Sequence, residues 1–138
     1  MRYKWIAYSS DTAYEDKSKK TFPTIKECYD DMRDAVLAKM KWNTEYDEDF
    51  ETPDDTLCPD DICDAISYKV WFEKRMIAHK SYSGTYVYLI VEEDRDPSYY
   101  DVFNEGMAEH LWNIDMIDFN ELIEVNNRRE RHDNCNIE

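Results

Sequence analysis

Glycine is almost absent from this 138-residue chain, which has only Gly84 and Gly106. That scarcity excludes several classes of chemistry. A phosphate-binding loop needs GxxxxGK[ST] and a dinucleotide-binding turn needs GxGxxG, because only glycine lets backbone N–H groups come close to phosphate oxygens. Neither fits a chain with two glycines. GxSxG, HExxH and CxxC are also missing, so no familiar hydrolase, zinc-protease or redox signature is present. Four cysteines, Cys28, Cys58, Cys63 and Cys135, are too few for a disulfide scaffold in a chain of this length, and reduced thiols are the expectation. No stretch approaches the roughly 18 consecutive apolar residues of a membrane span, and MRYKWIAYSS has no signal-peptide cleavage pattern. A soluble, cytoplasmic protein is expected.

Basic residues are missing where acidic ones crowd. The net charge is −15, yet residues 44–64, TEYDEDFETPDDTLCPDDICD, hold ten carboxylates and no Lys or Arg. Residues 92–124 hold eleven carboxylates against Arg95 alone, whereas residues 1–43 and 65–91 are slightly positive. Two blocks therefore carry more than the whole excess. A field of this sign repels nucleic acid and anionic membranes and attracts cations or basic proteins.

What is abundant is aromatic: eleven Tyr, five Phe and four Trp argue for a folded chain with one core. Residues 1–9 alternate as a half-buried strand, with Tyr3, Trp5 and Ala7 on one side, and the polar run SSDTAYEDKSKK reads as a loop. Thr24 and Glu27 match a capping box that starts a helix with Ile25, Cys28, Tyr29, Met32, Val36 and Met40 on its apolar stripe, ending near Trp42. Residues 44–64, interrupted by Pro53 and Pro59, read as a long acidic loop. Residues 66–91 read as one long antiparallel hairpin turning at SYSG. Asp96-Pro97 is expected to open a helical segment, in which Gly106 is unfavourable. Trp112, Met116, Phe119 and Ile123 fall on one face of a last helix, and a short flexible tail is expected from about residue 128. The order β-α-loop-β-β-α predicts a single α+β domain over 1–138, a small antiparallel sheet packed against two or three helices.

Candidate sites follow from the charge map and the cysteines. An EF-hand is started by the alternation Asp47, Asp49, Glu51 but fails at Pro53, where the motif needs its glycine nearby to wrap oxygens around calcium. Cys58-x4-Cys63 and His132-x2-Cys135 supply a possible Cys3His zinc set, or the carboxylates a divalent cation site. A PD-(D/E)xK nuclease core is faintly suggested by Pro59-Asp60 with Glu73 and Lys74, but residue 75 is Arg and the order fails. His79 on a strand reads as a surface imidazole, and Tyr82, Tyr86 and Tyr88 read either as a binding face or as sheet packing. The primary candidate is the acidic loop as a partner-binding surface: Glu45, Asp47, Glu48, Asp49, Glu51, Asp54, Asp55, Asp60, Asp61 and Asp64, joined by the carboxylates of the late helices.

The stretches KWIAYSSDTAYEDK (Lys4–Lys17) and KMKWNTEYDEDF (Lys39–Phe50) resemble segments of small uncharacterised proteins of Bacteroides and their phages. The resemblance implies a phage or mobile-element origin and transfers no functional residue. The expected function is non-enzymatic: an acidic protein without cofactor that engages a basic protein partner and neither nucleic acid nor membrane. Its specific form would be a phage-encoded DNA mimic inhibiting a nucleic-acid-binding protein in the bacterial host cytoplasm. The alternatives are a metal-binding protein and a structural component of a phage particle.

Overall fold

A computed structural model describes residues 1–11, 14–46, 70–81 and 84–136. The elements run β1 (Tyr3–Ser9), β2 (Glu15–Lys17), α1 (Ile25–Tyr46), β3 (Val70–Phe72), β4 (Met76–Ser81), β5 (Gly84–Glu92), α2 (Tyr99–Val102), α3 (Glu105–Asn113) and α4 (Phe119–Asn136). All strands pair antiparallel in the order β2-β1-β5-β4-β3. The fold is α+β, as the element order predicts. It has three layers: α1 covers one sheet face and α2 to α4 cover the other.

That sandwiching explains why β1 and β5 lack clean polar alternation. Strands covered on both faces read as continuous apolar runs, and Trp5, Ile6 and Ala7 are all buried. Trp5 and Ala7 pair with Ile90 and Tyr88 and face α1, while Ile6 pairs with Leu89 and faces the C-terminal helices. The expectation of a half-buried first strand is corrected accordingly. Tyr86 and Tyr88 pack inside the sheet layer and are not a binding face, and Tyr82 lies outside the described residues. His79 is also corrected: its register between Val70 and Tyr86 places it on the α1 side, fully buried, with its ring stacked 5.8 Å from Tyr86.

Helix α1 begins where the sequence places it, with the Thr24 hydroxyl accepting from the Glu27 N–H at 3.2 Å. Cys28, Met32 and Val36 are buried on the expected stripe. Polar contacts add to that packing: the Trp5 indole donates to Asp31 at 2.8 Å, and the Arg33 guanidinium lies 5.7 Å from the Phe72 ring centre.

Several boundaries differ from the sequence reading, the first being the end of α1, which runs on to Tyr46, past the expected Trp42 and into the stretch read as an acidic loop. The supposed loop after β1 contains β2, an edge strand whose residues Glu15, Asp16 and Lys17 are all exposed and carry no apolar signal. Charged residues on a short edge strand are a usual guard against pairing with other chains. The single long hairpin is a three-strand meander, because the charged turn Glu73–Arg75 separates β3 from β4 and the Glu73 N–H closes on the Met76 carbonyl at 2.8 Å. Finally, Ser98 caps the helical segment, in place of Asp96. Its hydroxyl accepts from the Asp101 N–H, and the Asp101 carboxylate accepts from the Ser98 N–H at 2.9 Å. Gly106 is tolerated because it occupies the first turn of α3, where intrahelical hydrogen bonds are fewest. The stretch read as a tail from about 128 continues α4 to Asn136.

Candidate functional site

Most of the first acidic block falls outside the described residues. Glu45 lies in the last turn of α1, whereas Asp47, Glu48, Asp49, Glu51, Asp54, Asp55, Asp60, Asp61 and Asp64 lie beyond it, as do Cys58 and Cys63. Of the proposed zinc set, His132 stacks face to face on Tyr100, ring centres 3.7 Å apart, and Cys135 is in the last turn of α4. Among the described residues no group of three or more His, Cys, Asp or Glu side chains is gathered to hold a metal. Cys28 is buried, and burial, with Asp31 adding to it, pushes its thiol up to about 11.

From Asp101 on, the second acidic block is on the helical layer opposite α1, and its carboxylates there divide by task. Asp101 completes the α2 capping box, and Asp118 accepts the Glu121 N–H at 2.8 Å ahead of α4. Glu121 turns inward, where Thr85 donates to it at 2.7 Å and Ser10 at 3.2 Å. Tyr99 and Arg128 both donate to the Ser10 carbonyl, so this polar junction joins β1, β5, α2 and α4. Glu124 pairs with Arg128 at 3.2 Å. Glu105 and Glu109 are exposed and make no ion pair among the described residues. With Trp112 they recur at i, i+4 and i+7, so the three share one side of α3.

The turn from α3 to α4 creates a surface that the sequence does not announce. Asp115 has φ +59°, its N–H bonds to the Trp112 carbonyl at 3.1 Å, and the Met116 N–H bonds to the Leu111 carbonyl at 2.8 Å. This pair of bonds is a Schellman termination, with Met116 and Leu111 supplying the buried apolar contact that accompanies it. The helix stops there, and the expected stripe splits: Met116 is buried, whereas Trp112, Phe119 and Ile123 are 44%, 61% and 41% exposed. Trp112 and Phe119 meet edge to face across the turn at 6.2 Å, and Ile123 follows Phe119 by one helical turn. The exposed residues Glu105, Glu109, Asp115 and Asp118 border this apolar trio on the α3 side.

Two further clusters were not legible in the sequence. The Glu73 carboxylate accepts from the Trp71 indole at 2.8 Å and bonds to His110 Nε2, tying α3 to the β3–β4 turn. Thirty-seven residues separate His110 from Glu73, and nothing in either neighbourhood signals the pairing. With Glu73 so engaged and Asp60 outside the described residues, the nuclease reading gains no support. Beside the β2 edge, Lys4, Lys17, Lys19 and Lys20 line a cleft of about 600 Å³ together with Glu15, Asp16, Glu93 and Asp96. Its charges are mixed. Lys4 bonds Asp96 at 2.6 Å and holds that carboxyl below the usual carboxylate range. Among the described residues no helix is long and apolar enough to cross a membrane.

No protein-family model matches the chain, and neither the curated proteins nor the solved structures contain a match to it.

Proposed function

We propose that the chain is a non-enzymatic binding protein that engages a basic protein partner through its carboxylates. In the specific form favoured by the sequence resemblance, it is a phage-encoded inhibitor that imitates DNA and occludes a nucleic-acid-binding protein of the host. The supporting observation is the division of labour on the C-terminal helical layer. There, Glu105 and Glu109 stay solvent-facing and without ion pairs among the described residues, while the neighbouring acids cap helices or bond inward. Carboxylates left free in this way keep their full field, and in a chain of net charge −15 that field steers cationic partners.

The first acidic block supplies the other half of the reading. Capture from a bacterial lysate at low salt is expected to recover a basic, nucleic-acid-binding protein that duplex DNA displaces. Converting Asp47, Asp49, Asp54, Asp55, Asp60 and Asp61 together to Asn is expected to slow association with that protein by about tenfold or more. An unchanged association rate removes these residues from the interface. Recovery only of neutral proteins, indifferent to DNA, contradicts the reading as a whole.

A further inference from the structure

We infer that the Trp112–Phe119–Ile123 face docks an amphipathic helix of the partner, one whose apolar stripe is flanked by Lys and Arg. The inference rests on the binding function proposed above and names the kind of element that the acidic helical layer receives.

Single exposed apolar residues on a soluble protein need no explanation, but a contiguous group does. Here three large side chains come from the two sides of the α3–α4 turn, with the Trp112 and Phe119 rings 6.2 Å apart and Ile123 on the same side of α4 as Phe119. Trp and Phe expose much area at little cost in rotamer entropy, and such residues carry most of the energy at protein interfaces. The structure spends a left-handed residue, Asp115, on bringing them together. A continuous helix through residues 112–123 would keep the trio on one face with Met116, as a core stripe. The break buries Met116 and leaves the other three outside.

Charge decides the occupant. The exposed carboxylates Glu105, Glu109, Asp115 and Asp118 lie on the α3 side of the trio, so that rim favours cations beside an apolar centre. A second copy docking through the same face would bring a second set of these carboxylates to the rim. An acidic helix is repelled, and a basic but wholly polar segment leaves the rings in water. A helix with apolar residues at i, i+3, i+4 and i+7 and Lys or Arg beside them satisfies both parts.

The test uses a fluorescently labelled synthetic helix of alternating Leu and Lys faces, the same peptide with its Leu residues replaced by Ser, and the full-length protein. Binding is read by anisotropy at low salt. The unmodified protein is expected to bind the Leu/Lys helix at least tenfold more tightly than the Ser-substituted peptide. Trp112→Ser combined with Phe119→Ser is expected to abolish that preference, with circular dichroism unchanged because both side chains are exposed. Equal affinity for the two peptides, unaffected by the double substitution, overturns the inference and leaves the charge-based function standing. No binding of either peptide overturns both. A concentration-dependent dimer in sedimentation, dissociated by the double substitution, assigns the face to self-association and also overturns the inference.

Discussion

Single residues hold the polar junction between the sheet and its C-terminal helices. Gly84 has φ +136°, and a Cβ there would lie 2.7 Å from the Ser10 hydroxyl oxygen. That hydroxyl accepts the Thr85 N–H at 3.1 Å and donates to Glu121, so it has no room to retreat without losing a bond. Gly84→Ala is expected to destabilise the fold by on the order of 1–3 kcal/mol, the usual strain of a side chain in a glycine conformation. Urea denaturation measures it, and an unchanged midpoint contradicts the assignment. Gly84 was readable as a turn residue from SYSG. Its clash with Ser10 was not, since the two residues come together only when β1 and β5 pair.

Among the elements, the α3–α4 turn most changes what the molecule presents. Asp115 takes the left-handed position that helix terminations usually give to Gly or Asn. Asp115→Val is expected to cost about 1–2 kcal/mol, because a β-branched side chain in that region meets the following carbonyl. Thermal denaturation reads the loss. A neutral effect contradicts the left-handed assignment.

Legibility followed the same physics. Helix α1 was readable from its capping threonine and its 3.6-residue stripe, and β5 from the run TYVYLIV, because local spacing and burial agree there. Strand β2 was not readable: EDK has no apolar face to count, and only its pairing with β1 makes it a strand. The last helix misled because Trp112, Met116, Phe119 and Ile123 fit helical spacing perfectly well. The left-handed conformation that interrupts them sits at an Asp, not at one of the two glycines. The acidic surface was legible as charge but not as arrangement, since composition does not say which carboxylates cap helices and which remain free.

At the scale of the whole molecule, buried phenols and the Cys28 thiol set the alkaline limit. Burial is the leading cause of every one of these shifts. It pushes Tyr14 up to about 12 and raises Tyr8, Tyr29, Tyr88 and Tyr99 as well, with Cys28 at about 11. A group whose folded pKa is raised contributes stability that is complete below its unfolded value and lost as pH rises toward the folded one. Stability is therefore expected to hold through neutral pH, to begin falling near pH 9 as Cys28 departs from its unfolded value of 9.0, and to fall faster above 10.0, the tyrosine value. The part of the tyrosinate absorbance that belongs to Tyr8, Tyr14, Tyr29, Tyr88 and Tyr99 should rise only with unfolding, above their unfolded value of 10.0. A full tyrosinate signal with native circular dichroism contradicts the burial described for these side chains.

The surplus negative charge has a consequence at the same scale. If free carboxylates attract the partner over distance, salt acts mainly on the encounter, and the screening length shrinks from about 30 Å at 0.01 M to about 3 Å at 1 M. The most direct test is the association rate, by stopped flow, of the unmodified chain with the basic protein recovered from lysate across that salt range. The account predicts a steep fall in the rate with rising salt, and a shallower one for the variant with six Asn substitutions. A rate independent of salt, identical for both proteins, would contradict it.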